Sequence, residues 1–101
     1  MNNLNDILTS LDVVKLVGQS DIDLTGVNSD SRKVEPGSLF VATRGTQVDG
    51  HDYIASAIEK GAMAVVCEIL PEKLSPDVVY VVVKNTNVAL GKIASAWYDF
   101  P

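Results

Sequence analysis

The sequence predicts an α/β domain with three layers, in which helices flank a small mixed sheet. Short β-branched and aromatic runs alternate with segments of helical periodicity, most clearly in the second half of the chain. The apolar runs at Ala62–Cys67 and Val78–Val83 have the length of strands, and the first is apolar enough to be covered on both faces. Two shorter strands in the first half are free to pair antiparallel, so the sheet is predicted to be mixed.

Three segments have the spacing of amphipathic helices. Their buried faces are formed by Leu4, Ile7, Leu8 and Leu11; by Tyr53, Ile54, Ala57 and Ile58; and by Leu90, Ile93, Ala94 and Trp97. Polar residues in N-cap positions are Asn3 or Asn5, Asp49 with Asp52 as the capping-box acid, and Asn85 or Thr86. Gly61 is expected to end the second helix, and Pro101 the third.

The remaining strands are predicted at Val13–Val17, Ile22–Val27 and Ser38–Thr43. A polar turn at residues 18–21 separates the first two. Pro36 and Gly37 form a second turn, because proline fixes φ and glycine tolerates positive φ.

Composition limits the function classes. A chain of 101 residues with 47% hydrophobic and 21% charged residues is expected to fold as one globular domain. The net charge of −5 argues against nucleic-acid or anionic-membrane partners. Cys67 is the only cysteine, which excludes an internal disulfide and points to a core residue. No secretion signal or membrane span is apparent, so a cytoplasmic location is expected.

The stretch from Asn28 to Ile54 holds most of the residues that suit a ligand. A polar segment, Ser29 to Arg32, precedes the strand at Ser38–Thr43, and a glycine-bearing loop follows it. Two polar loops beside one strand form a common kind of binding edge. His51 is expected to form local hydrogen bonds rather than to catalyse, and Gly91-Lys92 lacks the flanking residues of a phosphate-binding loop.

Motifs in this stretch resemble the N-terminal domain of the Mur ligases, which extend the UDP-linked peptidoglycan precursor. They are D-S-R-K-V-E-P-G-S-L-F-V-A at residues 30–42 and G-T-Q-V-D-G-H-D-Y-I at residues 45–54. V-K-N-T-N-V-A-L at residues 83–90 and A-W-Y-D-F-P at residues 96–101 are most similar to the MurE type. That type attaches meso-diaminopimelate or lysine to UDP-N-acetylmuramoyl-L-alanyl-D-glutamate.

The resemblance implies that this chain is one substrate-anchoring domain, residues 1–101, with no cofactor of its own. ATP and magnesium would belong to a central domain that continues the chain, and the D-glutamate precursor and the remaining domains would be its partners. Matching positions imply that Ser29, Ser31, Thr46, Gln47 and Val48 contact the UDP-muramoyl group. A serine hydroxyl and a glutamine amide suit uracil and ribose, which carry both donors and acceptors.

The diphosphate of such a ligand requires positive charge. Arg32, Lys33 and Arg44 lie next to the two loops, and at least one of them is expected to face the phosphates. Asp30 is expected to fix the first loop through Arg32. Two alternatives stay open: a MurF-type ligase domain acting on a longer precursor, and a non-catalytic interaction module with the same fold.

Overall fold

The computed structural model describes residues 3–45 and 47–98, except for the side chain of Tyr98. Predicted features at Thr46 and Pro101 lie outside these residues. The elements in chain order are α1 (Leu4–Leu8), β1 (Val13–Val17), β2 (Val27–Asn28), a 3-10 turn (Ser31–Lys33), β3 (Leu39–Val41), a 3-10 turn (Gly50–Tyr53), α2 (Ile54–Glu59), β4 (Ala64–Cys67), β5 (Val79–Val83) and α3 (Thr86–Tyr98).

The five strands form one sheet in the order β1-β5-β4-β3-β2. β1 runs antiparallel to β5, whereas the other neighbouring pairs are parallel. The predicted mixed sheet is confirmed. All four residues of β4 are buried, as expected for a central strand with helices on both sides.

Alternate residues of the central strands pack into two separate cores, one on each face of the sheet. On one face, Leu39, Val41 and Val66 pack with residues of α1 and α3. On the other face, Phe40, Val65 and Tyr80 pack with α2. The predicted three-layer arrangement is therefore confirmed, and the partly buried Trp97 packs against the α1–α3 core as expected.

Most of the predicted caps and turns are confirmed, but Asp49 caps the 3-10 turn Gly50–Tyr53 rather than α2, whose N-cap Tyr53 makes no capping bond through its side chain. The side chains of Asn3 and Asp49 accept hydrogen bonds from the backbone N–H two residues later. Gly37 has φ +85° and Gly61 has φ +103°. The two glycine turns also meet, because the backbone N–H of Gly37 donates to the carbonyl of Gly61 over 2.8 Å.

Three predictions in the first half of the sheet and in α2 are wrong. The strand expected at Ile22–Val27 is reduced to Val27–Asn28, because the Ile22 carbonyl instead accepts from the Leu4 N–H at the start of α1. β1 and β2 lie at opposite edges of the sheet and do not pair with each other. Tyr53 is 43% exposed rather than buried, because it precedes α2 in a 3-10 turn.

Gly91 and Lys92 lie within α3, where they form no phosphate-binding loop. Within residues 3–45 and 47–98, no helix has both the length and the apolar character needed to cross a bilayer.

Candidate functional site

A cavity of about 610 Å³ opens where β2 and β3 end. Residues 29–32, which follow β2, line one side, and residues between 43 and 50, which follow β3, line the other. Phe40 and Tyr53 complete the lining. Both loops leave the carboxyl ends of neighbouring parallel strands, the edge at which open α/β sheets bind ligands. We call these segments the 29–33 loop and the 43–50 loop.

The 29–33 loop is closed by contacts between its own residues. Asp30 Oδ1 accepts from the backbone N–H of Arg32 over 2.9 Å and from its Nε over 3.1 Å. Asp30 Oδ2 accepts from Arg32 Nη2 over 2.9 Å. These bonds from the Arg32 side chain and backbone lower the pKa of Asp30 to about 2. The expected structural role of Asp30 is confirmed.

Ser31 combines a fixed backbone with a hydroxyl that is open to a ligand. The residue is buried and lines the cavity. Its carbonyl accepts from Lys60 Nζ at the end of α2 over 3.1 Å. Its hydroxyl makes no hydrogen bond to residues 3–45 or 47–98. Because the hydroxyl both donates and accepts, it suits a ribose or a uracil edge.

The 43–50 loop folds back on itself as a short hairpin. The backbone N–H of Gly50 donates to the Thr43 carbonyl over 2.7 Å, and that of Gly45 donates to the Val48 carbonyl over 2.9 Å. Gln47 and Val48 are exposed near its tip, and Val48 lines the cavity. Thr46 lies outside the described residues, so its predicted contact stays a prediction, as do those of Ser29, Ser31, Gln47 and Val48.

His51 connects the 43–50 loop to the end of β4. Its Nδ1 lies 2.7 Å from Asp49 Oδ1, and its Nε2 accepts from the backbone N–H of Glu68 over 2.9 Å. A second N–H, from Ile69, lies 3.3 Å from Nε2. Because Nε2 accepts from N–H groups, Nδ1 carries the ring proton and donates to Asp49. His51 forms hydrogen bonds as expected, but only the one with Asp49 is local, since Glu68 and Ile69 lie 17 and 18 positions further along the chain.

Glu68 follows β4 and connects the same loop to α3. Its Oε1 accepts from Arg44 Nη1 over 3.2 Å. Its Oε2 accepts from the backbone N–H of Thr86 over 2.9 Å and from the Thr86 hydroxyl over 3.0 Å. These hydrogen bonds, and most of all the one from the Thr86 backbone N–H, lower the pKa of Glu68. Sequence reasoning missed Glu68, although an acidic residue directly after a buried strand was a usable signal.

Two of the three predicted diphosphate ligands line the cavity. They are Arg32, whose side chain is 84% exposed, and Arg44, whose side chain is 54% exposed. Lys33 is exposed but lies outside the lining. Arg32 is paired with Asp30, and Arg44 with Glu68 and, over 3.7 Å, with Asp49. An arriving phosphate would therefore compete with these carboxylates.

Groups suited to metal binding or to nucleophilic chemistry are scarce in the described part of the chain. Residues 3–45 and 47–98 contain no cluster of three or more His, Cys, Asp or Glu side chains placed to hold a metal ion. Cys67 is buried in the α2 core, and burial raises its pKa to about 11. The prediction that Cys67 is a core residue is confirmed.

The chain is similar to known proteins of one family. The family model described as "Mur ligase family, catalytic domain" matches residues 23–98. UDP-N-acetylmuramoyl-L-alanyl-D-glutamate–2,6-diaminopimelate ligases are similar to this chain over 98 residues. The protein from Bacteroides fragilis is 51% identical and that from Bacteroides thetaiotaomicron 50% identical. Each alignment covers 97% of this chain and 20% of the relative.

A solved structure shows the same fold. The UDP-N-acetylmuramoylalanyl-D-glutamyl-2,6-diaminopimelate–D-alanyl-D-alanyl ligase from Acinetobacter baumannii superposes with a TM-score of 0.75 at 21% identity. The superposition covers 93% of this chain and 21% of that chain. The chain belongs to the Mur ligase family. It spans about 20% of the length of the curated relatives it matches.

Proposed function

We propose that this domain anchors the UDP end of UDP-N-acetylmuramoyl-L-alanyl-D-glutamate for an ATP-dependent ligase. The observation that carries the proposal is the cavity between the 29–33 and 43–50 loops. It brings together cavity-lining residues from both segments that the family resemblance matched to the UDP-muramoyl group: Ser29, Ser31 and Val48. The parent reaction proposed here is addition of 2,6-diaminopimelate, because the relatives at about 50% identity are named for it.

The cavity supplies groups that match the parts of such a ligand. The Ser31 hydroxyl suits the ribose or the base, and the exposed amide of Gln47 offers both a donor and an acceptor for uracil. Arg32 and Arg44 supply the positive charge for the diphosphate, and charge-assisted bonds to phosphate are strong. We retain the prediction that at least one basic residue faces the phosphates, with Arg32 and Arg44 as the two candidates.

Within the longer ligase, we propose an anchoring role that does not involve the reacting atoms. Binding energy gathered at the UDP end helps to place the D-glutamate carboxylate in the central domain, where ATP and magnesium activate it. The matching family model is described as catalytic, but this sequence has no phosphate-binding loop. Thr86 occupies the place of the first glycine before Gly91-Lys92, and Ile93 the place of the serine or threonine. A cytoplasmic location follows from this role in precursor synthesis.

The MurF type is the second candidate. The Acinetobacter baumannii structure shares the fold, but its 21% identity does not distinguish ligase types. The sequence relatives favour the diaminopimelate ligase. A non-catalytic interaction module is disfavoured by the same relatives, and ligand binding would exclude it.

A two-dimensional NMR titration tests the proposal. UDP-N-acetylmuramoyl-L-alanyl-D-glutamate and UDP are expected to shift the amides of residues 29–32 and 44–48, whereas AMP is not. Replacing Ser31 with Ala is expected to weaken UDP binding by about threefold to tenfold, the value of one hydrogen bond. Ser95→Ala, at an exposed position of α3, is the matched control. Absence of any response at millimolar ligand, both here and in the longer ligase, would contradict the proposal.

A further inference from the structure

Side chains that do not line the cavity join the 43–50 loop to α3. Asn87 Nδ2, in the first turn of α3, donates to the Arg44 carbonyl over 3.1 Å. Glu68 also contacts the loop and the helix, since one carboxylate oxygen accepts from Arg44 and the other from Thr86, the residue before Asn87. The beginning of the loop is thereby joined to the beginning of α3.

We propose that Glu68 is a positioning residue, which ties Arg44 to the first turn of α3 and so fixes the 43–50 loop in its ligand-binding conformation. The proposal rests on the proposed function for its ligand. The Glu68 carboxylate itself does not line the cavity. Its effect on binding is therefore exerted through Arg44, which does.

Three features indicate that the contacts of Glu68 with Arg44 and Thr86 have a structural role and are not an incidental ion pair on the surface. The Glu68 side chain is only 17% exposed, although its partner Arg44 is 54% exposed. Its carboxylate accepts three hydrogen bonds, from Arg44 and Thr86. Its own backbone N–H is bonded to His51, which fixes the place where the carboxylate begins.

The geometry also explains why the loop needs an anchor. Its two internal backbone bonds join residues 43 to 50 and 45 to 48, and they set its shape but not its direction from the sheet. The direction is set by Arg44, through Glu68 and Asn87, and by Asp49, through His51. Loss of the Arg44–Glu68 contact leaves the Asn87 bond to the Arg44 carbonyl as the remaining contact of Arg44 with α3, so the tip with Gln47 and Val48 is expected to move more.

The variant Glu68→Gln distinguishes the proposed contact with Arg44 from the capping of α3 at Thr86. The carboxamide oxygen keeps an acceptor for Thr86, whereas the bond and ion pair to Arg44 are lost. Glu72→Gln makes the same change of charge at an exposed position and is the matched control. Arg44→Gln breaks the same contact from the other side, so the test does not depend on the folding of one variant.

The first measurement is ¹⁵N relaxation of the unliganded protein. Glu68→Gln and Arg44→Gln are expected to increase fast motion at Gly45, Gln47 and Val48 while leaving the 29–33 loop unchanged. Relaxation in Glu68→Gln that matches Glu72→Gln would overturn the proposal. The relaxation measurement needs no ligand, so it tests the positioning role of Glu68 even if the wild-type protein does not bind UDP. Failure of the wild-type protein to bind UDP would instead overturn the proposed function.

The second measurement is the Kd for UDP-N-acetylmuramoyl-L-alanyl-D-glutamate in a double-mutant cycle. Glu68→Gln is expected to weaken binding about tenfold, and Glu72→Gln to leave it unchanged. The double variant of Glu68 and Arg44 should bind about as well as Arg44→Gln alone, because Glu68 acts through Arg44. Losses that multiply independently in the double variant would overturn the proposal.

Discussion

The two loops that line the cavity are stabilised in different ways. In the 29–33 loop, the contacts that close the turn join Asp30 to Arg32, two positions apart, and Lys60 adds one bond from α2. In the 43–50 loop, the contacts of Arg44 reach 24 positions to Glu68 and 43 positions to Asn87. One side of the cavity is chiefly a local turn, and the other depends on the packing of β4 and α3.

This difference decides how each side responds to a change elsewhere. A local turn keeps its shape as long as its own residues are present. A loop held by distant side chains keeps its shape only while the elements that carry them stay in place. Substitutions that act on one loop alone therefore test whether the two loops are stabilised independently.

The largest effect is expected from Gly50→Ala. A Cβ at this position would lie 2.8 Å from both the backbone nitrogen and the carbonyl oxygen of Thr43, so the two ends of the 43–50 loop must move apart. We expect the free energy of unfolding to fall by about 1–3 kcal/mol, as for other overpacked positions. Urea denaturation measures this loss, and NMR should show shifts in the 43–50 loop but not in the 29–33 loop.

Gly26→Ala provides the control for this substitution. A Cβ on Gly26 meets no heavy atom within 4 Å. Its stability should stay within about 1 kcal/mol of the wild type. Equal losses in the two variants, or shifts of equal size in both loops of Gly50→Ala, would contradict the distinction between the loops.

The same distinction explains which features the sequence predicted. Asn3, Asp49 and Gly61 act on neighbouring backbone groups, so their residue types are sufficient to place caps and turns. The buried strands were equally clear, because β4 and β5 are apolar over their whole length. The Asp30–Arg32 pair of the 29–33 loop belongs to this group.

The error at Ile22 and the omission of Glu68 depend on residues distant in sequence. Ile22 has the residue type of a strand, but its carbonyl is used by the N-terminus of α1. Glu68 looks like an ordinary charged residue until β4 and α3 place Arg44 and Thr86 beside it. Local propensity contains no information on these contacts, because tertiary packing creates them. The residues of the 43–50 loop were therefore predictable from the sequence, but the contacts of Arg44 with Glu68 and Asn87 were not.

A smaller effect, in the opposite direction, is expected from Gly91→Ala. Gly91 is exposed within α3, and a Cβ there meets no heavy atom within 4 Å. Alanine should stabilise the protein by about 0.5–1 kcal/mol, because glycine is a poor helix former. Thermal unfolding measures the gain. The amide shifts of both loops should stay constant, and a shift at Arg44 to Val48 would show that the loop responds to α3 as a whole.

The smallest effect is expected in acid, where each loop has its own carboxylate. Hydrogen bonds from Thr86 lower the pKa of Glu68 below the ordinary 4.5, and Arg32 lowers the pKa of Asp30 from 3.8 to about 2. A carboxylate with a lowered pKa in the folded state stabilises the protein above its ordinary pKa. That stabilisation is lost as the pH falls through the lowered value. The stabilisation that each loop contributes through its carboxylate should therefore be lost in acid, over a different pH range for each loop.

Urea unfolding between about pH 6 and about pH 2 separates the two contributions. Glu68→Gln should flatten the pH dependence just below the ordinary glutamate pKa of 4.5, and Asp30→Asn should flatten it between 3.8 and about 2. The Asp30 effect should cover the wider pH range but should shrink in high salt, because its partner Arg32 is 84% exposed. If Asp30→Asn flattened the curve more than Glu68→Gln, the local turn rather than the distant junction would contribute more to stability through its charge.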